Sequence, residues 1–293
     1  MVLQAELVLD IQNELGEGPW WNEDERKLYW VDIDGCRIHW YSPATGENGH
    51  LRLDQKIGAA ALTASGEKLI CAMQHGFYVL DPKTGQAEPI TDPEADLPGN
   101  RFNDGKCDPA GRFWAGTMSM ADEPGKGALY CLDPQAGCRK VLSGVTCSNG
   151  LGWSPDGRTM YYIDSPTREV AAFSFDPETG ALGEKRIAVR YGDLPGIPDG
   201  MTVDEEGMLW VAAWDGSRVD RWDPATGKRL ETIAVPATRT TSCVFGGDGF
   251  DELYITTARV GLSRETLDKE PHAGGLFKVK TGTRGMPFYR YGG

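Results

Sequence analysis

One pattern repeats through the chain: a tight-turn phrase followed, at a similar interval each time, by the next copy of itself. SPATG (ending at Gly46), DPKTG (Gly85), DPQAG (Gly137), DPETG (Gly180) and DPATG (Gly227) recur, with a degenerate sixth copy, KTG, ending at Gly282. Pro and Asp open such a turn, and Gly supplies the positive φ that closes it. Upstream of each lies a short aromatic and β-branched segment. These are LYWVD from Leu28, LICA from Leu69, FWAG from Phe113, MYYID from Met160, LWVAA from Leu209 and LYITT from Leu253, with successive starts 41, 44, 47, 49 and 44 residues apart. A second turn signal precedes each (NEDER, TASGE, DPAGR, SPDGR, DEEG, GGDGFDE), and a further strand such as RIHWY, ALYCL or RVDRW follows.

The unit is therefore strand, tight turn, strand, loop, strand, turn and a fourth strand over about 45 residues, the period and strand count of a propeller blade. A solenoid of stacked strands is the competing architecture, but its repeats are usually shorter and it needs distinct end caps. The expected fold is all-β: a six-bladed β-propeller with four-stranded antiparallel blades around a central channel, in one domain over residues 1–293. No window sustains a period near 3.6, so helices should be few. Closure should pair a strand from one terminus with the blade at the other, and ELVLDI, residues 6–11, is the candidate.

Composition narrows the partners. The net charge of −13 repels phosphate backbones and anionic lipid, which argues against nucleic-acid or membrane-surface binding. No apolar run reaches the length of a membrane span, and the first residues lack the basic and apolar regions of a signal peptide, so a cytoplasmic location is expected. The seven cysteines, odd in number and without CxxC spacing, point to reduced thiols, mostly in the core. Cys107 stands four residues after Asn103 as Trp21 does after Glu17 and Trp153 after Asn149, and reads as a buried hydrophobe.

Aligning the six units on their second strands and stepping back ten or eleven residues gives Glu17, Gly58, Asn103, Asn149, Asp199 and Ser242. In a propeller the first strand of each blade lines the channel and all enter from one face, so these positions converge on the axis. Any single Asn or Asp before Gly is usually a turn residue bonding its own backbone. Several at one repeat position, opening the phrases EGPWW, NDGKC, NGLGW and DGMTV, form a ring. Two buried carboxylates facing each other are costly unless a cation or proton lies between them. One divalent ion resolves this, with Glu17 and Asp199 neutralising charge and Asn149 supplying a carbonyl oxygen. An all-oxygen set suits calcium, magnesium or manganese, with zinc also open. The loops between second and third strands should open on the same face. Their residues are Asp32, Asp34, His75, Met118 to Met120, Ser165 to Arg168, Trp214, Asp215 and Arg259, a mixture suited to a sugar, with Arg101 on the adjoining loop.

The phrases LGEGPWW, RFNDGK, FWAGTM, SNGLGWSPDG, YYIDS, PDGMTVD and TTAR, in order and at blade spacing from about Leu15 to Phe277, resemble the senescence marker protein, regucalcin and gluconolactonase family. The resemblance implies a six-bladed propeller lactonase, with Glu17, Asn149 and Asp199 as metal ligands and Arg101 and Asn103 as substrate contacts. Met118 and Trp214 are carried as further pocket contacts. One departure stands out: animal members have acidic residues almost directly after GTM, whereas here Ser119, Met120 and Ala121 precede Asp122 and Glu123, which puts the sugar contact on that side in question.

The expected chemistry is hydrolysis of a sugar lactone to the aldonic acid, the metal acting as Lewis acid and Asp199 as general base. No GxSxG elbow is present, and His39, His50, His75 and His272 avoid the ring positions. The rival readings are a phosphotriesterase of the diisopropyl fluorophosphatase kind and a non-catalytic calcium-binding regulator.

Overall fold

The computed structural model describes residues 2–292. It is a six-bladed β-propeller in which each blade is an antiparallel sheet. The inner strands, nearest the axis, are Gly16–Asn22, Ile57–Leu62, Asn100–Cys107, Ser148–Trp153, Ile197–Val203 and Thr240–Gly246. The second strands cover the aromatic segments read from the sequence, from Lys27–Asp32 to Glu252–Thr257. The only α-helix among the described residues is Arg264–Lys269, capped by the Ser263 side chain accepting from the Thr266 N–H. None of these residues forms a helix long and apolar enough to cross a membrane.

The turn phrases do the work their residues dictate in five blades. Gly46, Gly85, Gly137, Gly180 and Gly227 all have φ between 66° and 79°, the left-handed region that glycine enters without cost. Each closes the hairpin from third to outermost strand. The sixth copy, at Gly282, closes no hairpin, because the outermost strand of blade 6 is not the next segment. That strand is Glu6–Leu9, antiparallel to Leu276–Lys280 with Glu6 opposite Lys278, so the N-terminal segment closes the ring as its sequence suggests. A second N-terminal strand, Val2–Gln4, runs parallel outside blade 5.

The core lies between blades. Trp30, Trp114 and Trp210, on the second strands of blades 1, 3 and 5, are fully buried. Between blades 3 and 4, Trp114, Trp153 and Phe175 meet edge to face with centroids 5.9–6.1 Å apart, the arrangement that aromatic quadrupoles favour. The indole N–H groups of Trp114 and Trp210 each donate at 2.9 Å to a buried carboxylate six residues earlier, Asp108 and Asp204. The turn signals DPAGR and DEEG thus also satisfy the tryptophans behind them. All seven cysteines are free and four are buried, Cys107 among them.

After the last blade strand, residues 284–292 cross the end of the channel opposite the pocket described below. The strap bonds blade 5 (Glu205 N–H to Arg284 O, 2.9 Å) and blade 6 (Gly285 N–H to Phe250 O, 2.8 Å). It then bonds blade 2 (Ala64 N–H to Tyr291 O, 2.7 Å; Tyr291 N–H to Leu62 O, 2.8 Å) and blade 3 (Gly292 N–H to Gly111 O, 2.9 Å). Arg290 reaches Asp24 of blade 1 at 2.7 Å. Phe288 and Tyr289 fill the channel end beside Trp20, Trp21 and Cys107.

One buried group sets a pH dependence of stability. His39, 2% exposed and with both ring nitrogens unpartnered, stacks on Trp30 at 5.2 Å. Burial, then His50 and Arg37, lower its pKa from 6.5 to about 4. A depressed histidine pKa means that the unfolded chain takes up the proton first. Stability is therefore lost as pH falls from about 6.5 to about 4, by about 2–3 kcal/mol at the lower limit. Denaturant unfolding of wild type and His39→Phe across this range should show the difference in stability between them shifting by that amount in favour of Phe at the acid end; a pH-independent difference would refute the assignment.

Candidate active site

The inner strands do not run in unbroken register with their neighbours. The ladder shifts between Glu17 and Trp20, Ile57 and Ala59, Phe102 and Gly105, Ser148 and Leu151, Pro198 and Met201, and Thr240 and Ser242. Each blade therefore carries an irregularity at the same level of the channel. Such bulges re-aim side chains next to functional sites, and here they turn Glu17, Asn103, Asn149 and Asp199 to one pocket. The glycines that follow belong to bulges, not hairpin turns. A Cβ at Gly150 would lie 2.7 Å from the Asp199 carbonyl oxygen, and one at Gly200 would lie 2.1 Å from Ser242 Oγ. Only glycine lets the next inner strand come so close.

The pocket encloses about 370 Å3 and is lined by Leu15, Glu17, Arg101, Asn103, Asp122, Thr146, Cys147, Asn149, Ser165, Pro166, Ile197, Asp199 and Trp214. That volume suits a single small ligand. Of the expected residues, Glu17, Arg101, Asn103, Asn149, Asp199, Ser165, Pro166 and Trp214 line it. Gly58 and Ser242 do not; a Cβ at Gly58 would lie 2.5 Å from Phe102 O, and Ser242 faces the cavity at the strap end of the channel.

The remaining loop residues stand apart from the pocket wall. Asp32 accepts the N–H groups of Glu14, Leu15 and Gly35 at 2.9–3.2 Å. Asp34 pairs with Lys56, and Arg259 bonds Gln12 at 2.6 Å. His75 lines a separate side cavity. Met118 sits behind Cys147, its Sδ 3.7 Å from the Cys147 thiol, while its backbone pairs with Arg101.

Two features of the pocket escape the sequence reading. Asp122 reaches the wall from the loop after GTM, held at φ 55° by a turn in which its N–H donates to Ser119 O at 3.1 Å. An acidic group is thus restored on the side where the sequence left it in question. Asp104 is the other: adjacent to Asn103 in the bulge, it is 6% exposed and lines the cavity at the strap end, near enough to raise the pKa of both Glu17 and Asp199. Strict strand alternation sends neighbours to opposite faces, so Asp104 reads from sequence as outward.

Three buried carboxyls therefore lie near enough along the channel to influence one another, Glu17 and Asp199 at the pocket and Asp104 at the strap-end cavity. Burial is the largest influence on each. Glu17 is held well above the usual carboxylate range by burial, then by Asp199 and Asp104. Asp199 is likewise raised by burial and then by Asp104, and Asp104 by burial. The cations nearby are Arg101, 8% exposed, and Lys106, whose Nζ donates to Met201 O at 2.8 Å. Hydrogen bonds sort the amides. Asn103 is partnered at both ends, its Nδ2 donating to Ser148 O at 2.7 Å and its Oδ1 accepting from Arg101 Nη1 at 2.7 Å. Asn149 spends its Nδ2 on Ser165 Oγ at 3.0 Å, and its buried Oδ1 has no partner. Orphaned buried acceptors are rare in folded proteins.

A hard divalent cation fits this donor set. It would take the free Asn149 Oδ1, relieve the repulsion between Glu17 and Asp199, and find only oxygen ligands. Among the described residues no three His, Cys, Asp or Glu side chains are grouped to hold a metal; the set is two carboxylates and a carboxamide.

Fold and site together define a six-bladed propeller with a pocket of oxygen donors at one end of its axis. The chain belongs to the SMP-30/Gluconolactonase/LRE-like family, whose model matches residues 15–259. It is 41% identical to regucalcin of Gallus gallus over 297 residues, covering 99% of each chain. It is also 41% identical to a protein provisionally named as a sugar lactone lactonase, YvrE of Bacillus subtilis (strain 168), covering 98% of this chain and 99% of that one. Among solved structures it resembles regucalcin from Agrobacterium tumefaciens, described as a calcium-binding protein, with a TM-score of 0.94, 29% identity and 99% coverage of both chains.

Proposed function

We propose that the protein hydrolyses a sugar lactone to the aldonic acid, using one divalent cation held by Glu17, Asn149 and Asp199. The observation that carries this reading is the unpartnered Asn149 Oδ1 in a pocket where two buried carboxyls repel each other. Family membership and the lactonase name of the Bacillus relative supply the substrate class. The bound cation would polarise the lactone carbonyl and stabilise negative charge on its oxygen.

The remaining steps belong to the chain's own residues. Asp199, on the pocket wall, takes the proton of the attacking water as general base and returns it to the ring oxygen as that oxygen's bond to the carbonyl carbon breaks. Arg101, fixed by Asn103 Oδ1 and Phe102 O (3.0 Å), presents its remaining donors to sugar hydroxyl or carboxyl oxygens. Asn103 acts chiefly by holding that guanidinium. Asp122, at the rim, accepts from sugar hydroxyls. Trp214, its ring stacked beneath Arg239 at 4.7 Å, offers the flat apolar face that sugar rings pack against. Met118 backs the wall through Cys147.

Parallel assays of the cation-loaded protein against a panel of five- and six-membered aldonolactones and against a phosphotriester test the substrate class. Turnover of a lactone in preference to the phosphotriester is expected. Preferential phosphotriester turnover, or cation binding without turnover of either, would overturn the reading in favour of a phosphotriesterase or a calcium-binding regulator.

A further inference from the structure

Beside the pocket, on the far side of Arg101, lies a small cavity of about 40 Å3 whose lining includes Glu94, Asn100, Arg101 and Thr117. Glu94 comes from the loop between blades 2 and 3, yet its side chain is 7% exposed. It accepts three hydrogen bonds, each at 2.9 Å: from Asn100 Nδ2, Thr117 Oγ1 and Tyr130 OH. The donors come from the inner, second and third strands of blade 3. Such a buried carboxylate is a charge-assisted hub, and every arm matters because an unmet donor there costs its full desolvation.

What the hub holds is the wall of the pocket. Asn100 immediately precedes Arg101, and Asn100 Nδ2 also donates to Lys126 O at 2.9 Å. Lys126 ends the loop that carries Asp122. Thr117 lies opposite Phe102 across the inner ladder. One carboxylate thus ties together the strand start bearing Arg101 and the loop bearing Asp122, the two charged groups of the wall that the cation does not need. Arg101 also lines the small cavity that Glu94 borders. By contrast, Glu17, Asn149 and Asp199 stand on blades 1, 4 and 5.

We propose that Glu94 is a positioning residue for the substrate: through Asn100 and Lys126 O it sets where Arg101 and Asp122 meet the lactone, while leaving the cation site alone. The inference rests on the lactonase reading. Substrate-positioning groups fixed by a supporting layer lose affinity when that layer is loosened.

The test compares wild type, Glu94→Ala and Glu94→Gln by steady-state kinetics on an aldonolactone and by calorimetric titration with calcium. Glu94→Ala should raise KM by roughly tenfold or more, with kcat within about threefold and calcium affinity within about twofold of wild type. Glu94→Gln, which keeps one acceptor oxygen, should raise KM by less. Active wild type with both variants at wild-type KM, whatever their melting temperatures, overturns the inference alone. If the alanine variant does not fold, the glutamine variant at wild-type KM has the same meaning. A wild type that turns over no lactone overturns the proposed function and takes this inference with it.

Discussion

Asp199→Ala is expected to lower kcat/KM for the lactone by at least about 10^3-fold, since it removes both a cation ligand and the general base. The same change should not weaken the cation-free fold. Burial and the neighbouring carboxyls hold Glu17 and Asp199 above their ordinary pKa values of 4.5 and 3.8. A group whose pKa is raised on folding stabilises the fold only while protonated, so its contribution is lost as pH rises past those values. At pH 7 the cation-free wild type therefore carries an electrostatic strain that the variant lacks. Thermal melts should show cation-free Asp199→Ala at least as stable as cation-free wild type. Added cation should raise the melting temperature of wild type and leave the variant nearly unmoved. Residual activity above a few per cent, or an equal cation-induced shift in both, would remove Asp199 from the site.

Ending the chain at Thr283 should produce the largest loss of stability. The strap contributes the five backbone hydrogen bonds described above, to Glu205, Phe250, Ala64, Leu62 and Gly111. It also contributes the Arg290–Asp24 pair and the cover of Phe288 and Tyr289 over Trp20, Trp21 and Cys107. At about 1 kcal/mol net per bond the hydrogen bonds alone amount to about 5 kcal/mol, equivalent to a fall of about 10 °C or more in a chain of this size. The blades are separate sheets with no ladder between them, and the strap ties blades 2, 3, 5 and 6 together by backbone hydrogen bonds. Its removal should thus broaden the transition as well as lower it. Calorimetry of the truncated chain checks both, and an unchanged transition would make the strap a passive tail.

The repeats exposed the fold because each blade needs the same turn chemistry, and glycine at positive φ cannot be disguised by neighbouring substitutions. The ring was legible for a related reason. Gly150 and Gly200 are required where the next strand presses in, and Gly18 by its positive φ of 46°, so the residue before each announces itself by its follower. What stayed hidden lacked such a signature. Asp104 shares its bulge with Asn103, and period-two reasoning sends it outward. Asp122 depends on a left-handed residue in a loop whose path nothing local specifies. Met118, expected on the wall, lies one layer back because Cys147 fills the space before it. Gly282 kept the look of a hairpin turn although the N-terminal strand had taken the place that hairpin would fill. The strap has no repeat to betray it, and Glu94 is one acid in a loop of several until its three donors are seen.

The most direct test of the axial centre is a lactonase assay on protein stripped with a chelator, followed by titration with calcium, magnesium, manganese and zinc in turn. Turnover should vanish on stripping and return, with at least one of the four ions, to a plateau near one equivalent, and Asn149→Leu should shift that titration to higher ion concentration. Full turnover in the stripped protein, unchanged by any added ion, would contradict the account.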